Sequence, residues 1–270
     1  MRIMLRRDLR HWIPACKIEG ILVACLLFLF FVMQNHEILL YLKNFPDTTI
    51  SLGDSLCAWL CGIPLLRFGD VNQMQLPVRW ILLFMGSAVF FLRYPHYDYT
   101  HYRMQIFLRA DNRQVWWNAK LICASVLAIM YYLLFITGCI LLSFRYVSFG
   151  NILVTHAELW GQSLRISGTI SAVLEMIIIP GAAVVAFSII TMTLSVFLNA
   201  SAAVVVDLGI LLAGCFFGTP LFFPAAVMYV RNDYFVDGSF GQGITASLAA
   251  AVSICICYFV GRKTIRRAEC

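Results

Sequence analysis

The sequence predicts an all-α integral membrane protein with six transmembrane helices, both termini in the cytoplasm and an amphipathic interfacial helix at the N-terminus. Composition is the first observation behind this prediction: of 270 residues, 61% are apolar and only 13% are charged, and the mean hydropathy is +0.83. A soluble domain carries roughly 25% charged residues. The chain therefore lacks the charge that a water-facing surface of this size requires.

Long apolar runs are the second observation. A helix needs about 20 mostly apolar residues to cross the hydrocarbon core, which is ~30 Å thick. The runs lack the strict alternation of membrane-spanning strands, so they predict helices. The run from Leu56 to Leu66 is too short to span and should dip into the interface. We expect a single transmembrane domain over residues 1–270, with an interfacial helix at 1–12 and spans near 13–33, 77–92, 121–142, 172–198, 202–223 and 244–260.

The distribution of basic residues is the third observation. With both ends inside, the inner segments hold 14 of the 20 Lys and Arg residues and the outer segments hold 6. Because positive charge stays on the cytoplasmic side, this count places both termini there. Attraction to the anionic inner leaflet accounts for the net charge of +6, so the charge predicts membrane lipids as a partner and no nucleic acid.

The first twelve residues, MRIMLRRDLRHW, separate apolar from basic side chains. A helix with these two faces lies flat on the inner leaflet; a frayed basic tail is the alternative. The two faces are Met1, Leu5, Leu9 and Trp12 against Arg2, Arg6 and Arg10.

Motifs for catalysis are missing. His36-Glu37 begins like the zinc motif H-E-x-x-H, but Leu40 stands where the second histidine should be. No complete nucleotide-binding loop occurs, so we expect no enzyme activity, metal site or cofactor in this chain. Within the spans, we expect four residues to line a translocation path or to pack helices together: Glu175, Asp207, Gly214 and Gly218. Cys57 and Cys61 are the cysteines that could pair on the outer side.

The segment between the second and third spans is unusual for a connection. It reads RYPHYDYTHYRMQIFLRADNRQVWWNAK from Arg93 to Lys120, with aromatic residues at helical spacing followed by the start of the next span. An aromatic belt at the membrane surface explains the end of the segment, so we expect anchors at Trp12, Trp116, Trp117 and Lys120. An anchor does not explain the aromatic helix before it. That helix predicts a docking surface for another protein.

A family resemblance rests on this segment. Its Tyr94-Pro95, Asp98, Gln105, Leu108-Arg109, Arg113, Trp116-Trp117 and Lys120 resemble the loop of half-size, six-helix permeases of ABC exporters of the Gram-positive, ABC-2-like type. ISLGDSLCAWLCG, from Ile50 to Gly62, is similar to their segment after the first helix. The ending FVGRKTIRRAEC is similar to their C-terminal tail, except at Glu269-Cys270.

The resemblance implies a permease in the bacterial plasma membrane that has no ATPase of its own. Two ATP-binding subunits would bind ATP and Mg and grip the loop and the N-terminal helix, and a second permease, identical or homologous, would complete the transporter. Cargo would be an antimicrobial peptide or a lipid-like molecule, and short re-entrant helices would lie between Phe217 and Phe235. The ATPase-coupling surface would comprise Tyr97, Asp98, Tyr99, Tyr102, Arg103, Arg109 and Arg113.

Other functions stay open on the sequence alone. A scaffold or sensor partner that transports nothing would show the same composition, as would an ion-coupled carrier or an intramembrane enzyme. A neighbouring gene for a lone ATPase, or an ATPase that copurifies with the chain, would separate the exporter from these alternatives.

Topology gives the first test. Reporter fusions at Asp70 and Asn232 should read as outside and a fusion at Asn112 as inside, because the count of basic residues fixes the orientation. An inside reading at Asp70 would contradict both the charge count and the assignment of that loop.

Overall fold

The computed structural model describes residues 2–63, 76–93, 95–101, 113–144, 147–148, 154–156, 173–217, 219, 222–231 and 242–267, and most of these are helical. A π-helical turn, Leu174–Ile178, directly precedes the helix that begins at Ile179. A 3-10 turn, Tyr229–Arg231, follows the short helix Phe223–Ala226. Two short strands, β1 (Ile50–Ser51) and β2 (Val147–Ser148), pair in parallel. The helices are α1 (Arg2–Ala15), α2 (Lys17–Asn44), α3 (Leu52–Leu60), α4 (Val78–Leu92), α5 (95–101), α6 (Arg113–Ser143), α7 (Ile179–Phe197), α8 (Ala200–Phe216), α9 (Phe223–Ala226) and α10 (Gln242–Arg267).

Five stretches of helix are long and apolar enough to cross a membrane: Lys17–Asn44, Val78–His101, Gln114–Leu141, Met176–Phe197 and Thr245–Ile265. This confirms the predicted class, an all-α multi-pass membrane protein. The remaining expected span, near 202–223, corresponds to α8, whose 17 residues extend over about 25 Å. Cys57 and Cys61, the cysteines that could pair on the outer side, are both free thiols in this fold.

Helix α2 is longer than the apolar run from which its span was predicted. The first span was expected to end near residue 33, but the helix continues to Asn44. Gln34 explains the continuation, because its side chain is buried and donates to the Ser55 Oγ at 2.8 Å and to the Ser55 carbonyl at 3.0 Å. The Gln34 Oε1 in turn accepts from the Trp59 indole at 2.7 Å. A polar residue thus ends the apolar run while helix α3 stabilises the helix beyond it.

Helix α7 is the centre of the bundle, since it packs against α4, α6, α8 and α10. Its buried face carries small hydroxyl side chains, which let neighbouring helices approach closely. Ser188 donates to the Val184 carbonyl at 2.8 Å and Thr191 donates to the Phe187 carbonyl at 3.1 Å. Each hydroxyl is therefore satisfied within its own helix.

Pro180 explains the π-helical turn at the start of α7. Proline has no N–H and its ring displaces the carbonyl one turn earlier, so the preceding turn widens and its carbonyls lose helical partners. Two tyrosines replace those partners: Tyr229 donates to the Met176 carbonyl at 3.2 Å and Tyr132 donates to the Ile177 carbonyl at 2.9 Å. The widened turn therefore connects α7 to α6 and to the segment after α9.

The strand pair lies at the end of the bundle away from α1, and Asp54 links β1 to the segment that follows β2. Asp54 is fully buried in the first turn of α3 and forms a capping box with Ser51. Its carboxylate also accepts from the Thr155 N–H, the Thr155 hydroxyl and the His156 N–H, each at 2.8 Å. One carboxylate therefore joins the segment after the first span to the segment after the third.

Replacing Asp54 by Ala should lower the melting temperature of the purified protein in mild detergent. The substitution leaves the two buried donors of Ser51 without this acceptor, and each such donor costs about 1–3 kcal/mol. Asp47→Ala is the matched control, because Asp47 is exposed in the preceding turn. Equal melting temperatures for the two variants would show that Asp54 does not hold these segments together.

Candidate functional site

The side chain of Lys120 lies at the junction of three helices and has no exposed surface. It extends from the second turn of α6. Its Nζ lies 2.8 Å from the Asp98 Oδ2 on α5 and 3.2 Å from the Asp8 Oδ1 on α1. Both carboxylates are themselves buried. A buried charge costs several kcal/mol unless an opposite charge compensates it, so Lys120 requires both helices to be in place.

Arg7 completes the group, which we call the buried charge cluster: Arg7, Asp8, Asp98 and Lys120. The Arg7 Nη2 donates to both oxygens of Asp98 at 3.2 and 3.3 Å and to the Asp8 Oδ1 at 3.1 Å. Trp116 adds a neutral donor, with its indole N–H 3.1 Å from the Asp98 Oδ2. Two cations and two carboxylates make the cluster neutral as a whole.

Aromatic rings enclose the cluster. The Lys120 Nζ lies 5.5 Å from the ring centre of Trp12 and 5.6 Å from that of Trp116, within range of cation–π attraction. The Trp12 indole donates to the Phe90 carbonyl at 2.8 Å, so α1 is also fixed to the end of α4. Aromatic rings and opposite charges therefore meet at this junction of helices.

These positions correct the anchor prediction. Trp12, Trp116, Trp117 and Lys120 were expected among the lipid headgroups, but each is at most 1% exposed. A side chain enclosed by protein on all sides cannot sit in the headgroup layer. Helix α1 is amphipathic as expected, but its Trp12 faces the protein interior rather than lipid.

Trp117 packs on the last helix of the chain. A Cβ added to Gly261 of α10 would overlap the Trp117 indole, so the ring lies directly on the backbone of α10. The ring also lies near Phe197 at the end of α7, with ring centres 5.8 Å apart. The glycine in the C-terminal motif therefore has a packing role: it makes room for an indole from α6.

Helix α5 has a buried face and an exposed face. Asp98 lies on the buried face, and Tyr99 is half-buried against Trp116, with ring centres 5.9 Å apart. Tyr97 lies on the other face, 47% exposed, and stacks on His101 with ring centres 4.2 Å apart. This corrects the predicted coupling surface, because Asp98 is enclosed by protein and only the side of α5 with Tyr97 is open to a partner.

The remaining predicted residues are placed as follows. Tyr102, Arg103, Arg109 and Gly218 lie outside the described residues. Arg113 begins α6, and Glu175 lies in the π-helical turn, but the structure describes neither side chain. The predicted coupling surface is thus visible only in its first three residues.

Asp207 is a buried carboxyl group in α8. Neither of its oxygens has a hydrogen-bond partner among the described residues. Thr191 of α7 lies opposite it, but that hydroxyl donates to its own helix backbone. Gly214, about two turns further on, packs against α9: a Cβ there would lie 2.7 Å from the Ala225 Cβ. Gly214 is therefore a packing position within this chain.

The sequence did not single out Arg7 and Asp8 as site residues. The available signal was Asp8 itself, the only acidic residue among four arginines in α1. An acidic residue does not help a helix to bind an anionic leaflet, whereas a buried lysine elsewhere in the chain needs an acidic residue to balance its charge. No group of metal-binding side chains occurs among the residues that the structure describes. Comparison of the chain with family models, curated proteins and solved structures finds no match.

Lys120→Met should destabilise the fold by about 3–5 kcal/mol, because it leaves two buried carboxylates with one cation. The measurement is the melting temperature and the yield of monodisperse protein in mild detergent. Adding Asp98→Asn to Lys120→Met removes one of the two carboxylates and should restore much of the loss.

The matched control is Lys43→Met, since Lys43 is exposed at the end of α2. A single variant as stable as the control, or a double variant no better than the single, would show that the cluster does not act as a unit.

Proposed function

We propose that this chain is the membrane-spanning permease subunit of an ABC exporter in a bacterial plasma membrane. In this proposal it has six spans and cytoplasmic termini, and it works with two ATP-binding subunits and a second permease. The observation that carries the proposal is the attachment of α5 to the rest of the bundle. An exposed aromatic face is presented on a helix whose opposite face is fixed by buried charge.

The exposed face is suited to contact another protein. Tyr97 and His101 stack on each other and Thr100 lies beside them, so the face is already ordered before any partner binds. An ordered aromatic pair loses little conformational entropy on docking. Burying a ring of this size in a partner's cleft stabilises the complex by about 1.5–3 kcal/mol.

The attachment of α5 can transmit a push from a partner into the membrane. Asp98 connects α5 to α1 and α6 through the buried charge cluster. His96 connects it to α7, because its Nδ1 lies 2.9 Å from the Ser195 carbonyl. The Ser195 hydroxyl donates to the Phe91 carbonyl of α4 at 2.8 Å. Movement of α5 would therefore displace α1, α4, α6 and the central helix α7 together.

ATP hydrolysis would be supplied by the partner, since the sequence contains no complete nucleotide-binding motif. The partner would hold ATP and Mg, and its closure around the nucleotide would move α5. The assignment of cargo to antimicrobial peptides or lipid-like molecules rests on the family resemblance alone.

Asp207 favours a second candidate, an ion-coupled carrier, because carriers place carboxyl groups within their spans. Glu175 and Asp207 are fewer carboxyl groups than these proteins use, and α8 is unbroken around Asp207 among its described residues. The two candidates separate on energy source: an exporter copurifies with an ATP-hydrolysing subunit, and a carrier does not need one.

The decisive experiment is affinity purification of the tagged chain from membranes of its own host, followed by mass spectrometry and an ATPase assay. The wild type should bring down a soluble nucleotide-binding subunit. Tyr97→Ala with His101→Ala should reduce the amount recovered at least about tenfold, which corresponds to losing ~1.4 kcal/mol of binding.

The control is Phe45→Ala, which removes an equally exposed aromatic ring at the other end of the bundle. Both variants should insert and melt like the wild type, since neither removes a buried contact. An ATPase recovered equally with all three proteins would show that α5 is not the docking surface. Recovery of no ATPase from the wild type would contradict the exporter function itself.

A further inference from the structure

A groove opens on the lipid-facing side of the bundle between α2, α4 and α6, with a volume of about 310 Å³. Gly20 and Ala24 of α2 form one wall, and Phe90 of α4 and Leu134 of α6 contribute to the others. The one hydroxyl in the lining belongs to Tyr131, and it donates to the Leu83 carbonyl instead of the groove. The groove therefore offers only hydrocarbon to an occupant.

The dimensions of the groove select the kind of occupant. Its lining runs along α2 from Gly20 to Phe31, about 16 Å at 1.5 Å per residue. That length is half of the ~30 Å hydrocarbon core, the depth of one leaflet. Even the whole empty space of the groove, about 730 Å³, gives a mean cross-section of about 46 Å² over that length, whereas a helix about 10 Å across needs about 80 Å². A single hydrocarbon chain fits, because its carbons contact neighbouring atoms at about 4 Å.

Two exposed cations lie at the α1 end of the groove. Lys17 precedes Gly20 by one turn of α2, and Arg93 follows Phe90 by one turn of the chain after α4. The Arg93 side chain is 79% exposed although its Nη1 lies 3.6 Å from Glu19. With Glu19 included, this end keeps a positive balance just beyond the hydrocarbon lining. Phosphate in the headgroup layer is the anion that reaches such a position.

We propose that the groove is a binding site for one phospholipid of the leaflet on the α1 side. One acyl chain fills the groove beside Gly20 and Ala24, and the phosphate lies between Lys17 and Arg93. The site explains why Gly20 and Ala24 stand at these two positions, where larger side chains would close the space. A bound chain also supplies the packing that α2 lacks there, so the lipid holds α2 against α4 and α6.

The test is native mass spectrometry of the full-length protein after extraction from vesicles of equal parts phosphatidylethanolamine and phosphatidylglycerol. The wild type should retain one phospholipid per chain. Ala24→Phe fills the groove and should reduce retention at least about tenfold. Cys25→Phe adds the same ring at the same depth but on an exposed position outside the lining, and should retain the lipid. Lys17→Gln with Arg93→Gln should abolish any preference for phosphatidylglycerol while a lipid stays bound.

Each other outcome overturns the proposal. Equal retention in Ala24→Phe and the wild type would show that the groove holds no lipid. A wild type that is a dimer and becomes a monomer on Ala24→Phe, with no change in bound lipid, would assign the groove to a second copy of the chain. Melting temperatures of both phenylalanine variants, measured in the same detergent, establish that each compared protein is folded.

Discussion

Lys120 has no contact with water, so its charge has to be balanced within the protein. The balance comes from Asp8 and Asp98, which lie on two other helices, and Arg7 restores neutrality. Electrostatic compensation inside a poorly polarisable environment depends steeply on distance. The relative positions of α1, α5 and α6 are therefore set by charge pairing and not only by apolar packing. Because Asp98 belongs to α5, this arrangement also sets the orientation of the exposed face of α5.

In the interior of the bundle, where water is absent, backbone carbonyls without a helical partner need another hydrogen-bond donor. Pro180 leaves the carbonyls around the π-helical turn without helical partners, and hydroxyls of Tyr132 and Tyr229 take their place. At the end of α8, the buried guanidinium of Arg231 donates to the carbonyls of Gly214 and Cys215 at 2.6 and 2.9 Å. Such bonds are directional, so they fix how far one helix can slide along its neighbour.

Hydropathy and charge were enough to predict the class of the fold, because a helix that is surrounded by lipid has to be apolar in composition. They located α4 to within one residue, but they misjudged α2, whose polar end is stabilised by Gln34 and not by lipid. The site was harder to predict. A lysine next to two tryptophans looks the same in sequence whether it faces lipid headgroups or two distant carboxylates. To decide between the two environments one has to know that Asp8 lies beside Lys120, and no local sequence pattern indicates a contact between residues so far apart.

The order of synthesis determines when the buried charge cluster can form. Asp8 leaves the ribosome more than a hundred residues before Lys120 does. At about 5–20 residues per second, the delay is roughly 6–20 seconds. Throughout that interval Asp8 has its partner Arg7 but not Lys120, and Trp12 lacks its contact with the third span. The end of the bundle that carries α1 therefore closes late, when the third span is delivered. A chain truncated before Lys120 would therefore keep the Arg7–Asp8 pair but leave Trp12 without the cation that lies against its ring.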